Sequence, residues 1–597
     1  MGATGATVVI NNPSHRDDRK RHAPSPNSPE LIPGWTLHPS AQTQWLGDRT
    51  FSRPLGRLEL GFYWDMRLEG TADGYQSTHV RVRAGSDPRY VFSEAQVHGA
   101  WVHAKHTHPL LGARIVLDQI PRFEVSEERI RRVERSEIVF ADISSPGEVK
   151  VYIQRLVTAV PRTVYVEQTS ALHILFCDDG SNSVYVVSFA AHCIMDGICS
   201  GFLVSAFLDA LTSDLGRKPL PELDMQLRVA LPMDGVLPAS KLAPARQKWR
   251  MGIASVLQQL RLEKLKGGHP MPRTFTTSTS STPAHSSFFH IDFTPSQSRT
   301  IFQNSRRLGV TYGNAFYIAL QVAFSRFLLR SYRRGTISLS EWEFRKRQPM
   351  VVGCPLSMRP FLDNDWIDAG GKEAVCSSVG YLMLQLPYLP LGDAERIPGE
   401  ATTFEDFLSM ERFVFRSRGV KSQMGKMIKH PLFAEMQVAR MDGVIAGGRQ
   451  AAERYQRCAT PGREVSVEEQ ARDGVVLSYV GSSMGDLTAA YPNKYPLRSE
   501  ISTDEPDSPP LLEIDGAVSF LRCRPTEFYL NGVTYKNCLR FNMYWDSNVY
   551  DRSLVDEWVE DVKMATMWYL GGDREKELGL WPDSATSTCD VATRAKL

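Results

Sequence analysis

The stretch Ala191-His192-Cys193-Ile194-Met195-Asp196-Gly197 holds the residue types and spacing best suited to chemistry in this chain. A histidine that titrates near neutrality takes a proton from an alcohol once its ring is held. The glycine behind the aspartate lets a substrate approach the main chain closely and frees an N–H to face a developing oxyanion. Cys193 and Cys199 lie nearby, but no second histidine with a partner stands ready to make a thiolate, so both read as small buried residues. His98, His103 and His106 read as polar helical surface and His108 as a helix-end residue. No HExxH or comparable spacing points to a metal.

The motif needs a rigid mount, and the flanking patterns supply one. Leu172–Phe176 and Val184–Phe189 are β-rich runs joined by Asp178-Asp179-Gly180-Ser181-Asn182, which has hairpin composition. An apolar helix follows through Phe202, Leu203, Ala206, Phe207 and Leu211, so His192 falls in a strand–turn–helix. Upstream, the alternation of Leu58, Leu60 and Phe62 predicts a strand, as does that of Val80 and Val82. A helix is expected from Ser93 to about His106, with Val97, Trp101 and Ala104 on one face, followed after Pro109 by a strand over Leu110–Leu117.

Beyond a Gly/Pro- then Ser/Thr-rich stretch at Lys264–Ser287, a second half opens. Its expected elements are a strand at Phe288–Phe293, a helix over Pro295–Arg307 and a buried helix over Tyr312–Leu329 capped by Thr311. Strands around Ala517–Leu521 and Leu539–Tyr544 precede a final helix over Ser553–Leu570. The organisation expected is a disordered tail (1–33), an N-terminal lobe (34–225), a crossover connector (226–287), a C-terminal lobe (288–572) and a flexible tail (573–597).

The 597 residues are 42% hydrophobic and 23% charged, an ordinary globular balance long enough for more than one core. Lys plus Arg number 69 against 67 for Asp plus Glu, so no overall field favours nucleic acid or an anionic surface. Nine dispersed cysteines argue for a reducing compartment and against a disulfide framework or structural zinc. No secretory pattern and no spanning apolar run of about 18 residues is visible. The chain ends Ala595-Lys596-Leu597, which follows the small–basic–leucine logic of a peroxisomal address. Peroxisomal localisation, with an import receptor as partner, is therefore expected; otherwise the chain reads as cytoplasmic.

His192 through Gly197 resembles the active-site HxxxDG of the coenzyme A-dependent acyltransferase superfamily. That group includes chloramphenicol acetyltransferase, the plant and fungal alcohol acyltransferases and the condensation domains of peptide synthetases. Condensation domains usually carry two adjacent histidines; Ala191 stands at the first position here, which favours a stand-alone transferase. The late DFGWG of the plant enzymes is missing. Softer matches follow in order: Ala100–Arg114, Gly309-Val310-Thr311, Cys354–Pro360, Ser378-Val379-Gly380-Tyr381 and Ser478-Tyr479-Val480-Gly481.

The resemblance implies an α/β chain of two chloramphenicol-acetyltransferase-like lobes with the active site in a channel between them. It implies His192 as general base, the Gly197 N–H and Ser478 as oxyanion donors, and Asp196 paired with Arg359 in a structural role. Acyl-CoA would be a co-substrate, with no bound cofactor and no metal, and the chain a monomer. The basic clusters Arg330–Arg334, Arg345–Arg347 and Arg412–Lys429 read as solvated surface ahead of sites for coenzyme A phosphates.

Joined to the peroxisomal address, the motif makes the chain similar to fungal acyltransferases of mannosylerythritol lipid biosynthesis, which would place a short- or medium-chain acyl group on a glycolipid hydroxyl. Two alternatives remain: an O-acetyltransferase of a terpenoid alcohol of the trichothecene type, and a non-catalytic scaffold of the same fold. A condensation domain cut from a synthetase is disfavoured, since no carrier or adenylation signature is present.

Overall fold

The computed structural model describes residue 32 and residues 34–38, 49–158, 162, 164–213, 220–276, 278–397, 402–460, 465–497 and 509–573. The expected tails lie almost wholly outside the described residues, and Ala595, Lys596 and Leu597 lie outside them entirely.

The first half begins with a correction. Leu58, Leu60 and Phe62 stand in a helix, α1 (Arg57–Arg67), rather than a strand. Glu59 decides the matter: its carboxylate accepts the Gly56 N–H at 2.7 Å, closing the helix start, and takes both prongs of Arg53 at 2.7 Å. Arg53 and Glu59 are each 1% exposed, so this polar pair locks the helix to the strand Thr50–Pro54 from inside the core. Leu58 and Met66 are buried along the same helix.

Strand β1 (Gly74–Val82) and helix α2 (Glu94–Thr107) form as expected, with Val97, Trp101 and Ala104 fully buried. His103 and His106 are buried too, against the surface reading, while His108 ends the helix as expected. Helix α2 is covered by the short helix Glu127–Arg131 and by the helix Cys199–Thr212, and its own Lys105 enters the core to pair with Glu137 at 2.9 Å. A 3-10 turn at Pro109–Gly112 shortens the next expected strand to Arg114–Leu117. Then come β2 (Ile138–Ile143), β3 (Ser170–Cys177), β4 (Ser183–Ala190) and α3 (Cys199–Thr212). Strands β3 and β4 are an antiparallel hairpin, turned by Gly180 and Asn182, both at positive φ.

Part of the expected connector is regular: Pro244–Lys264 is a 21-residue helix, α4. The second half contains β5 (Ser286–Asp292), α5 (Pro295–Arg307), α6 (Tyr312–Arg333), β6 (Met350–Ser357), β7 (Val379–Leu386), α7 (Phe433–Gln456), β8 (Tyr479–Val480), β9 (Ser483–Asp486), β10 (Lys494–Tyr495), β11 (Leu512–Leu521), β12 (Phe528–Tyr535), β13 (Cys538–Asp546) and α8 (Arg552–Leu570). Thr311 caps α6 as expected, accepting from Asn314 N at 3.3 Å.

One sheet runs β10–β11–β1–β4–β3–β2, the other β7–β6–β8–β12–β13–β5 with β9 alongside β12. A lobe boundary drawn at residue 288 misplaces β10 and β11. Strand β11 pairs antiparallel with β1 from Leu512↔Val82 to Leu521↔Gly74, so the C-terminal half supplies the edge of the N-terminal sheet. Unpaired β1 would present open N–H and C=O groups, and β11 satisfies them. Among the described residues, no helix is long and apolar enough to cross a membrane.

Candidate active site

The turn between β4 and α3 carries His192, Asp196 and Gly197, and residues of the second half close over it. Asp196 is buried and fully used. Its Oδ1 accepts the N–H groups of Ile198 at 3.2 Å and Cys199 at 3.3 Å, which starts α3. Its Oδ2 accepts Arg359 Nη1 at 2.6 Å and Ser378 N at 3.0 Å. Burial alone would raise the carboxyl pKa, but the Arg359 charge and these donors outweigh it and hold it below the ordinary value. Arg359, placed just beyond the end of β6, also donates through Nη2 to the carbonyls of Ala374 at 3.0 Å and Cys376 at 3.2 Å. The carboxylate therefore bolts one half of the chain to the other and has no capacity left for a substrate.

His192 is held differently. Its ring stacks on Phe62 of α1 at 3.9 Å between centroids and 7° between planes. Nδ1 is buried with no partner on another residue, and Nε2 bonds no described residue. Burial lowers the ring's pKa first, and the Arg524 charge lowers it further; the ring's own carbonyl, Asp196 and Asp65 oppose them without winning. The imidazole is neutral at physiological pH, with one nitrogen free to take a proton.

Arg524 lies 5.5 Å from the Phe62 centroid and is itself gripped by Asp65 of α1 at 2.8 Å. Beyond it, Tyr381 of β7 carries Arg440 of α7 over its ring at 4.5 Å. Arg440 is largely buried and makes no hydrogen bond or ion pair with a described residue. Phe62, Asp65, Arg524, Tyr381 and Arg440 were not singled out as site residues. Phe62, Asp65, Arg524 and Arg440 sit in segments without motif character; Tyr381 ends the Ser378–Tyr381 match but carried no role there, and only the fold brings this set together around the Phe62–His192 stack.

Gly197 is exposed although Asp196 before it is buried, and its N–H has no partner among the described residues. A Cβ at this position would come within 2.9 Å of Met484 Cε from β9, so the second half approaches the turn closely here. Burial drives the thiols of Cys193 and Cys199 well up, which leaves no thiolate nucleophile beside the histidine.

Ser478 does not join this set. Its N–H bonds Val351 O at 2.8 Å near the start of β6, while Arg359 follows the end of that strand at Ser357. Six residues of strand span about 20 Å. Its hydroxyl donates to His269 O at 2.7 Å, so the proton needed for an oxyanion is already committed.

The first two basic clusters are mostly ion-paired, whereas in Arg412–Lys429 only the side chains of Arg416 and Arg418 are tied down among the described residues, by bonds to main-chain carbonyls. Arg330 bonds Asp561 and Glu557, Arg334 bonds Glu557, Arg345 bonds Glu341, and Arg347 bonds Glu343. No group of three or more potential metal ligands occurs among the described residues.

No protein-family model and no curated sequence matches the chain. Several solved structures do share its fold. The trichothecene 15-O-acetyltransferase of Fusarium sporotrichioides superposes with a TM-score of 0.64 over 91% of this chain and 100% of its own, at 12% identity. The condensation domain of the monacolin K polyketide synthase gives 0.52 over 87% and 97%, at 12% identity. The first condensation domain of the calcium-dependent antibiotic synthetase gives 0.51 over 87% and 96%, at 10% identity. The chain thus has the two-lobed α/β fold of chloramphenicol-acetyltransferase-like acyltransferases and condensation domains, as expected.

Proposed function

We propose that the chain is an acyl-CoA-dependent O-acyltransferase with His192 as its general base. The observation that carries this reading is the division of labour in the turn: Asp196 is spent on Arg359 and Ser378, whereas His192 is neutral with Nε2 free. A hydroxyl donating to Nε2 gains nucleophilicity and attacks the thioester carbonyl directly. The developing oxyanion takes a hydrogen bond from the Gly197 N–H. Collapse expels the coenzyme A thiolate, which recovers the proton from the imidazolium, leaving an ester and a free thiol. Ser478 has no part in this scheme.

The acyl group is short or medium in length and the acceptor a glycolipid hydroxyl such as that of mannosylerythritol, reached in the peroxisome through Ala595-Lys596-Leu597. The second reading is O-acetylation of a terpenoid alcohol; likeness of fold to a trichothecene acetyltransferase favours it. Thiol release from acetyl-, hexanoyl-, octanoyl- and decanoyl-CoA, with mannosylerythritol or a terpenoid alcohol as acceptor, separates them. Release that needs the sugar acceptor, prefers the medium-chain donors and disappears in His192→Ala supports the first reading. Acetyl-CoA turnover with the terpenoid alcohol alone replaces it with the second. Turnover that survives His192→Ala removes the mechanism.

A further inference from the structure

Helix α4 crosses between the halves with two apolar faces, and only one of them is used. Ala254 and Gln258 are buried on the side that packs against α7. On the opposite side, Trp249, Ile253, Val256 and Leu260 are 71%, 37%, 55% and 55% exposed. Their spacing of four, three and four residues aligns them in one stripe along the helix. Exposed single apolar residues are ordinary; four in register on one helix, headed by a tryptophan, form a patch that binds something.

Charge identifies what it binds. Arg246 and Lys248 flank the stripe at its N-terminal end and Lys264 at its C-terminal end, all exposed. The acid within the helix, Glu263, is engaged by Lys266 at 2.7 Å. A second copy of the chain laid along this face would set cations against cations in either orientation, since both ends carry them. An apolar stripe bordered by lysine and arginine has the chemistry of a helix lying in the headgroup plane of a bilayer: apolar residues enter the acyl boundary while cations meet lipid phosphates.

We propose that α4 is a membrane-surface helix that seats the protein on anionic lipid. Binding is peripheral and reversible, through an apolar stripe of a few turns held by counter-charge. The inference stands apart from the acyl-transfer reading, because none of its residues touches the His192 turn.

Co-sedimentation of the full chain with phosphatidylcholine vesicles, with and without phosphatidylserine, tests it. Two variants accompany the wild type: Trp249→Glu with Val256→Glu in the stripe, and Arg246→Glu with Lys248→Glu on its flank. All four positions are exposed, so the thermal midpoint should stay at the wild-type value. The expected result is binding to the phosphatidylserine vesicles, loss of it in the stripe variant, and salt-sensitive binding weakened by at least about thirty-fold in the flank variant. No vesicle binding by the wild type, or equal binding by the stripe variant, overturns the proposal. So does a wild-type dimer that the stripe variant converts to monomer without any vesicle binding, which makes the face a contact between copies. Retention on an immobilised acidic peptide but on no vesicle overturns it in favour of a protein partner.

Discussion

The two ends of the motif turn, four residues apart, are held in opposite ways. At Asp196 every acceptor is filled, an arginine from the other half of the chain completes the charge, and burial makes the contact costly to break. At His192 the ring is gripped by its face alone, against Phe62, and both nitrogens are left without a bond to another described residue. Polar satisfaction is concentrated at the contact that joins the two halves and withheld from the histidine ring. A motif read as one unit is thus two devices sharing one turn, a bolt at Asp196 and, in the proposed mechanism, a base at His192.

Substitutions at the two ends should therefore fail in different ways. His192→Ala is expected to lower the rate of acyl transfer by about two to four orders of magnitude, since the base is gone. Its unfolding free energy should change by less than about 1 kcal/mol, as no hydrogen bond to another residue is lost; kinetics and denaturant titration on one preparation check both halves.

Arg359→Met should do the reverse, destabilising the fold by about 3–5 kcal/mol because a buried carboxylate loses its counter-charge. Adding Asp196→Asn to that variant should recover part of the loss, and a double-mutant cycle in urea measures how much. If Arg359→Met unfolds no more easily than the wild type, the bolt reading fails.

The surroundings of His192 can be sharpened by pH. Its pKa lies below 6.5, so the base is lost by protonation, and the acid limb of activity should fall below pH 6.5. Arg524→Met removes a lowering charge and leaves Asp65 uncompensated, so the limb should move to higher pH. Asp65→Asn should move it lower. Paired kcat/KM profiles across the limb decide the sign. The smallest effect is expected at Ser478→Ala: about 1 kcal/mol of stability from the lost bond to His269, and a rate within about two-fold of wild type.

Much of this fold could be read directly from residue patterns. The hairpin of β3 and β4, the capped start of α6, and the strand–turn–helix carrying His192 all follow local signals: turn residues, a capping threonine and runs of one period. What local signals missed depends on distant partners. Leu58, Leu60 and Phe62 alternate like a strand, yet Glu59 must close a helix start and meet buried Arg53, and that contact overrules the alternation. His103 and His106 resemble surface until a second layer covers α2. Ser478 matched a short motif, but the register of β8 against β6 sets it far along the strand. Arg524 and Asp65 come near His192 through tertiary packing alone.

The borrowed edge of the first sheet also sets a timetable. Arg81 and its ion-pair partner Asp515 are separated by 434 residues. At about 5–20 residues per second, a ribosome takes roughly 20–90 s to cover that distance. Through that interval β1 is already outside with one side of its ladder unpaired, an open template for any strand that reaches it first. The nascent N-terminal half must therefore wait, shielded or slow to pair, for a segment not yet made. The protein becomes whole late in its own synthesis, and slowing the ribosome between these two strands should lengthen its most aggregation-prone moment.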